Sequence, residues 1–326
     1  MKNITIHDVA EKAGVSVTTV SRVINNRGYI SEKTKNLVNA VIDELDYIPN
    51  EIARSFYTNK TKLIGLIVPT ISNPFFGELS FYIERYLAKE GYKVFICNSI
   101  NDIRNEKKYL RMLQENRVDG IIVGSHNMDI KEYEKFETKI VSIERELTKS
   151  IPMIQSDDYQ GGWMATEELI NKGCKNILCV SGNLSVKTPA NDRAKAYSDC
   201  IKKYGYGEKL IEIPFTLSND EKTTILKEAL VKPIKYDGIF ATDDMMAMRV
   251  YNLLVSMNYN IPTDIKIVGF DGTETIRELI PTLTTIVQPI EDLAKNAVNL
   301  LLKRIEGKET ENKVVLPVTL RRGKTT

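Results

Sequence analysis

Side chains that grip small polar molecules recur in one kind of place along this sequence, just after a short apolar run. "LIGLIVP" (63–69) is followed by Asn73, Pro74, Phe75 and Phe76, and "KIVSIE" (139–144) ends on Glu144 with Arg145 next. "NILCVSG" (176–182) leads through a loop to Asp192 and Arg193, and the run at 210–214 precedes Phe215. "YDGIFATD" (236–243) ends on Asp243 with Asp244 behind it, and "IKIVGFD" (265–271) ends on Asp271. Carboxylates accept hydrogen bonds from pairs of sugar hydroxyls, a guanidinium donates forked bonds, and aromatic faces pack on sugar rings. A small polar ligand held in a cleft fits this set. Each member also has an ordinary use. Phe75 and Phe76 read equally as core, Arg193 as a surface ion pair, Asp271 as a turn cap, and one of Asp243 and Asp244 as a helix cap. The constellation carries more weight than any one residue.

Catalysis finds little support. There are two histidines, His7 and His126, and no G-x-S-x-G, P-loop or G-x-G-x-x-G motif. A hydrolase built on carboxylates alone stays open, though it leaves the N-terminal region unexplained. The four cysteines, Cys97, Cys174, Cys179 and Cys200, form neither a C-x-x-C nor a metal-ligand pattern and read as small core residues of a protein in a reducing cytosol. No metal and no cofactor is expected.

The apolar runs are strands, and longer amphipathic stretches lie between them, at 77–90, 105–116, 161–172, 192–204, 220–231, 244–257 and 290–306. Such alternation predicts parallel sheets covered by helices on both faces. About nine strands over residues 62–326 fit two sheets, hence two lobes, better than one. In sheets of this kind ligands bind beyond the carboxyl ends of the strands, which is where the polar set falls.

Residues 1–48 have a different texture, with short helical periods only. Thr5 can cap a helix that Gly14 ends, Ser16 a second reaching about Ile24, and Ser31 a third reaching about Leu45. A glycine turn between the first two makes a helix-turn-helix. The second helix keeps Val15, Val20, Val23 and Ile24 for a small core. Its other face is Ser16, Val17, Thr18, Ser21, Arg22 and Asn25. Short side chains let a helix approach base edges closely, methyls can meet a thymine methyl, and an arginine can take guanine O6 and N7. A plain three-helix bundle remains the alternative. Charge does not decide, because residues 1–60 hold eight basic and seven acidic side chains.

The 326 residues carry a formal net charge of +2, with 42% apolar and 27% charged residues, ordinary values for a soluble globular chain. No apolar run reaches the roughly 18 residues of a membrane span, and "MKNITIHDVAEKAG" has no apolar signal-peptide core. A cytoplasmic location without membrane attachment is expected.

Several stretches together resemble the lactose-repressor (LacI/GalR) family of bacterial transcriptional regulators, in its sugar-utilisation, sucrose-type branch. They are "TIHDVAEKAGVSVTTVSRVINN", "LDYIPNEIARS", "IGLIVPTISNPFF", "RVDGIIV", "SDDYQGGWMAT", "DGIFATDDMMA", "IVGFD" and "PTLTTIVQP". The resemblance implies an N-terminal all-α helix-turn-helix (1–48), a hinge helix and linker (49–61), and a two-lobed α/β core like a periplasmic binding protein, with parallel sheets (62–326). It implies a homodimer on near-palindromic operator DNA, switched by a small effector. By position, Val17, Thr18 and Arg22 would read bases. Thr5, Ser16, Ser21 and Asn25 would lie at or near phosphates. Ala53 would reach the minor groove, and Phe56 would take the wedge position where leucine is usual. Asn73, Phe75, Phe76, Glu144, Arg193, Phe215, Asp243 and Asp271 fall at or beside effector positions, with Glu144 where aspartate is commoner. The expected effector is a sugar or sugar phosphate of the sucrose or fructose type. Arg193→Ala is expected to keep operator binding and lose the effector response. A catabolite-control regulator with a phosphorylated carrier protein as corepressor is the alternative, with Met245, Met246 and Met248 as part of a protein surface. A carbohydrate enzyme and a transport binding protein are more distant ones. Phe81, Leu87, Val250 and Leu253 read either as dimer interface or as core.

Overall fold

Three short helices open the chain, each begun by a hydroxyl side chain. Thr5 caps α1 (Ile6–Ala13) in a reciprocal capping box with Asp8, Ser16 caps α2 (Val17–Ile24), and Ser31 caps α3 (Glu32–Glu44). Helices of eight residues are marginal alone. These persist because Val9, Ala10, Ala13, Val20, Val38 and Val41 bury one another in a single small core. Gly14 closes α1 at φ +63°, and no atom lies within 4 Å of where its Cβ would stand. The demand for glycine there is conformational, since an L-residue pays about 1–2 kcal/mol in the left-handed region.

The computed structural model describes residues 4–48, 60–127, 130–186 and 188–326. Its contacts separate two units, Met1–Thr61 and Lys62–Thr326. Ala53, Phe56 and most of the expected hinge lie outside the described residues.

The larger unit alternates strand and helix as the apolar runs require. β1 (Leu63–Val68), α4 (Pro74–Lys89), β2 (Lys93–Asn98), α5 (Ile103–Glu115), β3 (Gly120–Val123), a 3-10 stretch (Lys131–Lys139), β4 (Ile140–Ile143) and β5 (Met153–Ser156) build a first lobe. The chain then enters a second lobe of α6 (Asp158–Asn171), β6 (Ile177–Ser181), α7 (Asn191–Lys203), β7 (Leu210–Glu212), α8 (Asn219–Ala229), β8 (Gly238–Ala241), α9 (Asp244–Ser256), β9 (Lys266–Asp271), α10 (Glu274–Leu279) and β10 (Thr284–Val287). α11 (Ile290–Ile305) and β11 (Lys313–Leu316) return to the first lobe, and β12 (Thr319–Arg321) ends in the second. The chain therefore crosses between lobes three times, at residues 157, 288–289 and 317–318.

Each lobe holds a six-stranded sheet, ordered β11-β5-β4-β3-β1-β2 and β12-β10-β9-β8-β6-β7. The strand pairs are parallel except β12 against β10. Four strands have no counterpart among the apolar runs: β5, β10, β11 and β12. Each is three or four residues long, too short to show a period. α4 begins at Pro74, three residues before its expected start, because proline fits the first helical turn and Asn73 accepts the Phe75 N–H as its cap.

Both faces of each sheet are buried. In the first lobe, α4 and α11 cover one face with Leu79, Ile83, Leu87, Leu293 and Leu301, and α5 helps cover the other with Leu110 and Leu113. Leu87, Val250 and Leu253 are core residues (0%, 0% and 8% exposed), whereas Phe81 is 58% exposed. The interface reading thus fails for three of the four. A different apolar surface is open instead, around the edge strand β2: Phe95, Ile96, Ile100, Ile103 and nearby Ile71 are all exposed. The four cysteines are free and buried.

Candidate functional site

Parallel sheets of this order reverse direction between β1 and β3 in one lobe and between β6 and β8 in the other. Loops part at such a point and leave a crevice. The loops after β1, β3 and β4 here face those after β6, β7, β8 and β9 across a cavity of about 390 Å³. Asn73, Phe75, Phe76, Glu144, Arg193, Phe215, Asp243 and Asp271 all line it. Arg145 does not. It turns into the first lobe, 2% exposed, and donates from Nη1 to Ser125 O (3.0 Å), Ser125 Oγ (2.7 Å) and Glu106 Oε1 (3.3 Å). Tyr133 also donates to Glu106. This buried network anchors the loop after β3, and that loop carries His126.

A ring of hydrogen bonds joins the lobes at two crossings. The Ser156 N–H donates to Glu144 Oε1 (2.6 Å), and Ser156 Oγ donates to Gln288 Oε1 (2.7 Å). Gln288 Nε2 donates to Asp271 Oδ1 (2.7 Å), which also accepts from Arg193 Nη1 (3.3 Å). Arg193 Nε donates to Asp158 Oδ1 (2.5 Å). Glu144 Oε2 and Asp158 Oδ2 are buried and have no hydrogen-bond partner among the described residues. Burial, and then the Asp158 charge, push Glu144 well above the usual carboxylate range. Glu144 and Asp158 thus stand as neighbouring buried carboxyls at the two ends of this set of bonds.

Arg193 is the centre of this arrangement. Its guanidinium lies 3.8 Å over the Phe270 ring, and Nη1 also donates to Thr242 O (2.8 Å). Burial works against its charge, but Asp158 and Asp271 outweigh that and hold it protonated. It starts at the N-terminal turn of α7, where that helix crosses α6 at Gly162. A Cβ on Gly162 would stand 2.7 Å from Arg193 Cα, so glycine is required for this approach. Nη2 of Arg193 has no protein partner among the described residues, whose bonds to it run through Nε and Nη1.

Backbone strain marks the same place. Glu144 has φ +53° and Asp271 φ +115°, regions that cost a non-glycine residue about 1–3 kcal/mol and cluster where function over-determines the backbone. Burial raises Asp271 well above the carboxylate range and raises Asp243 as well. Asp243 caps α9 through the Met246 N–H (2.7 Å). Asp244 instead faces inward, accepting from Gly272 N–H (2.7 Å) and Thr285 Oγ1 (2.6 Å), and burial lifts it to about 7.

Aromatic rings line another wall. Phe75 meets Phe76 edge-on at 5.1 Å, Phe76 meets His126 at 5.8 Å, and His126 meets Phe215 at 5.6 Å. The first three come from the first lobe and Phe215 from the second. Burial, then the charges of Arg145 and Arg193, pull His126 down to about 4, so it is neutral here. Phe215 is 39% exposed and forms the open end of the row.

In the smaller unit, Ser16, Thr18 and Arg22 are exposed on α2, while Ser21 and Asn25 are half-buried. Val17 packs partly on the helical core. Thr5 Oγ1 is committed to Asp8 on both sides, donating to Oδ2 (2.7 Å) and accepting from its N–H (3.4 Å). Ser16 Oγ accepts from the Thr19 N–H (3.1 Å). Asn25 Nδ2 donates to Ser21 O (2.8 Å).

The sequence profile of bacterial regulatory proteins of the lacI family matches residues 5–50, and that of the periplasmic binding protein-like domain matches 166–326. The sucrose operon repressor of Pediococcus pentosaceus is 44% identical over 320 residues, covering 98% of each chain. The chain belongs to the lacI family. The lac repressor dimer bound to operator and an anti-inducer superimposes with TM-score 0.86 at 26% identity, covering 100% of this chain and 99% of that one. A lacI-type regulator from Alkaliphilus metalliredigens QYMF complexed with D-xylulofuranose superimposes with TM-score 0.74 at 36% identity, covering 81% of this chain and 99% of that one.

Sequence reasoning passed over His126, Gln288, Lys222 and Arg249, which line this lacI-family cleft, and Asp158, which pairs with Arg193. His126 lies in the loop after β3, Asp158 opens α6, and Gln288 follows β10. The methionines of α9 do not form an adaptable surface. Met246 is buried, Met248 is packed in the core, and Met245, the exposed one, lines the cleft. Among the described residues, no helix is long and apolar enough to cross a membrane, and no group of three His, Cys, Asp or Glu is placed to hold a metal ion.

Proposed function

We propose that this chain is a dimeric, cytoplasmic operator-binding repressor without catalytic activity, whose DNA affinity is set by a sugar-type effector in the inter-lobe cleft. The observation that carries this reading is the ring Glu144–Ser156–Gln288–Asp271–Arg193–Asp158, which gathers carboxylates and a guanidinium from both lobes at their crossings. A polyhydroxyl ligand can take Arg193 Nη2, the remaining oxygens of Asp243 and Asp271, and the faces of Phe75, Phe76 and Phe215. Such a ligand binds one lobe arrangement better than another and so shifts their populations. The relatives named for sucrose operon repression, and the xylulofuranose complex, support a sugar over a base.

α2 is the reading helix in this account. Val17, Thr18 and Arg22 meet base edges, and Thr5, Ser16, Ser21 and Asn25 meet or approach the backbone. Residues 49–61 act as the hinge, with Ala53 and Phe56 at the minor groove. The exposed apolar edge at β2 is the dimer face, because an uncovered apolar edge strand invites pairing. A protein corepressor gains no support from α9. Thermal unfolding against a sugar panel tests the reading. A ligand at a hundredfold excess over its Kd adds about 2.7 kcal/mol, a rise of roughly 5–10 °C for a unit this size. No shift from any sugar or sugar phosphate would remove the effector from the account.

A further inference from the structure

One buried carboxylate holds a wall of the cleft from behind. Glu106, on α5, is 0% exposed and accepts from four donors: Ser125 Oγ (2.6 Å), Asn127 Nδ2 (2.7 Å), Arg145 Nη1 (3.3 Å) and the Tyr133 hydroxyl. Ser125 and Asn127 are the two neighbours of His126 in sequence. Arg145 ties the same loop again, at Ser125 O (3.0 Å) and Oγ (2.7 Å). The chain on either side of His126 is therefore pinned to α5. Neither Glu106 nor any of its four partners lines the cleft.

The residue between the pins is the one that spans the lobes. The His126 ring meets Phe76 of its own lobe at 5.8 Å and Phe215 of the second lobe at 5.6 Å. Among the described residues it makes no hydrogen bond of its own, so its place is set by the residues beside it. Aromatic pairs interact with centroids about 4.5–7 Å apart, so a loop displacement of about 1–2 Å ends the contact with Phe215. An amide in place of Glu106 offers one acceptor oxygen instead of two and turns an NH2 group toward the four donors. The clamp then opens at one end or both.

We propose that Glu106 is a positioning residue for the contact between the lobes. From α5 it holds residues 125–127 so that His126 stands against Phe215, and it thereby biases which lobe arrangement the chain adopts. The consequence for DNA affinity rests on the cleft reading above, whereas the placement of His126 is measured without ligand or DNA.

The test is NMR of the full chain. Its two histidines, His7 and His126, give two sets of ring signals, and His7→Gln assigns them. In the wild type His126 should titrate at about 4, held down by burial and then by the charges of Arg145 and Arg193. Phe215→Leu should move the His126 signal by removing a ring 5.6 Å away. In Glu106→Gln the freed loop should let His126 titrate closer to its ordinary 6.5, and Phe215→Leu should then leave its signal in place. A Glu106 that served only to neutralise Arg145 gives the opposite sign, because an unopposed Arg145 charge keeps His126 at or below its wild-type value. Asn127→Ala cuts one tie and spares the pair with Arg145. It should move both readouts part of the way, and it decides the matter if circular dichroism shows Glu106→Gln unfolded. A His126 that titrates at or below the wild-type value in the folded variants overturns the proposal. So does a response to Phe215→Leu as large in those variants as in wild type. Failure of the cleft reading shows separately, as a sugar panel without a thermal shift beside the expected His126 pattern.

Discussion

Replacing Arg193 by methionine isolates what the guanidinium does. Methionine keeps an unbranched apolar stem against Phe270 but removes the contacts to Asp158 (2.5 Å), Thr242 O (2.8 Å) and Asp271 (3.3 Å). Asp158 and Asp271 then remain buried without their cation. Breaking a buried pair by removing one partner costs about 3–5 kcal/mol. At roughly 2–4 °C per kcal/mol for a unit this size, the unfolding midpoint should fall by about 6–20 °C. Set against a native stability of about 5–15 kcal/mol, the variant stays mostly folded at 25 °C, so operator binding persists while the effector response disappears. Adding Asp271→Asn removes one uncompensated charge and should restore part of the loss, because residues in one ion-pair network couple by about 0.5–3 kcal/mol. Urea and thermal unfolding by circular dichroism measure both variants. A single variant within about 1 kcal/mol of wild type, or a double variant no better than the single, would refute the view that Arg193 holds the ring together.

Glu144→Gln should flatten the pH dependence of stability above the ordinary carboxylate range. The folded-state pKa of Glu144 is raised, so the folded chain keeps a proton that the unfolded chain has released, and stability is lost as pH rises through that window, by up to about 1.4 kcal/mol per pH unit for one proton. Denaturant unfolding over a pH series above 4.5, the ordinary value for this carboxyl, should show a shallower slope for the variant, and equal slopes would contradict a raised Glu144. Arg22 is exposed on α2, so Arg22→Ala should leave the unfolding midpoint in place and weaken operator binding by about 1–3 kcal/mol. Preserved specificity in an anisotropy titration would take Arg22 out of base reading. Ile96, 42% exposed on β2, becomes buried in the proposed dimer. Ile96→Asp should give a monomer in sedimentation analysis and lose operator affinity with it, and an unchanged dimer would move the interface elsewhere.

Eight lining residues were legible because one rule, polar groups beyond strand ends, holds for every strand long enough to be seen as an apolar run. Residues outside that rule were hidden for separate reasons. Gln288 follows β10, whose four residues are too few to announce a strand. Arg145 sits next to Glu144 in sequence, yet the positive φ of Glu144 sends the two side chains to different networks. Lys222 and Arg249 lie on helices α8 and α9, and nothing in their spacing tells that both reach one wall. Burial misled in a similar way. Leu87 and Ile96 both belong to apolar patterns, but the first is covered by α11 and the second lies on an edge strand. Periodicity marks an apolar stripe without saying what covers it. The helix-turn-helix, by contrast, was readable throughout, because its caps and its glycine turn act over three or four residues.

Whether occupancy of the cleft sets DNA affinity is measured by fluorescence anisotropy. A near-palindromic operator selected from a randomised duplex pool is titrated with the full chain, with and without the ligand found by thermal shift. Saturating ligand should change the operator Kd by roughly 5- to 150-fold, the usual range of coupling between two sites. Operator DNA should change ligand affinity by the same factor. An operator Kd that stays constant with the cleft demonstrably full would contradict this coupling.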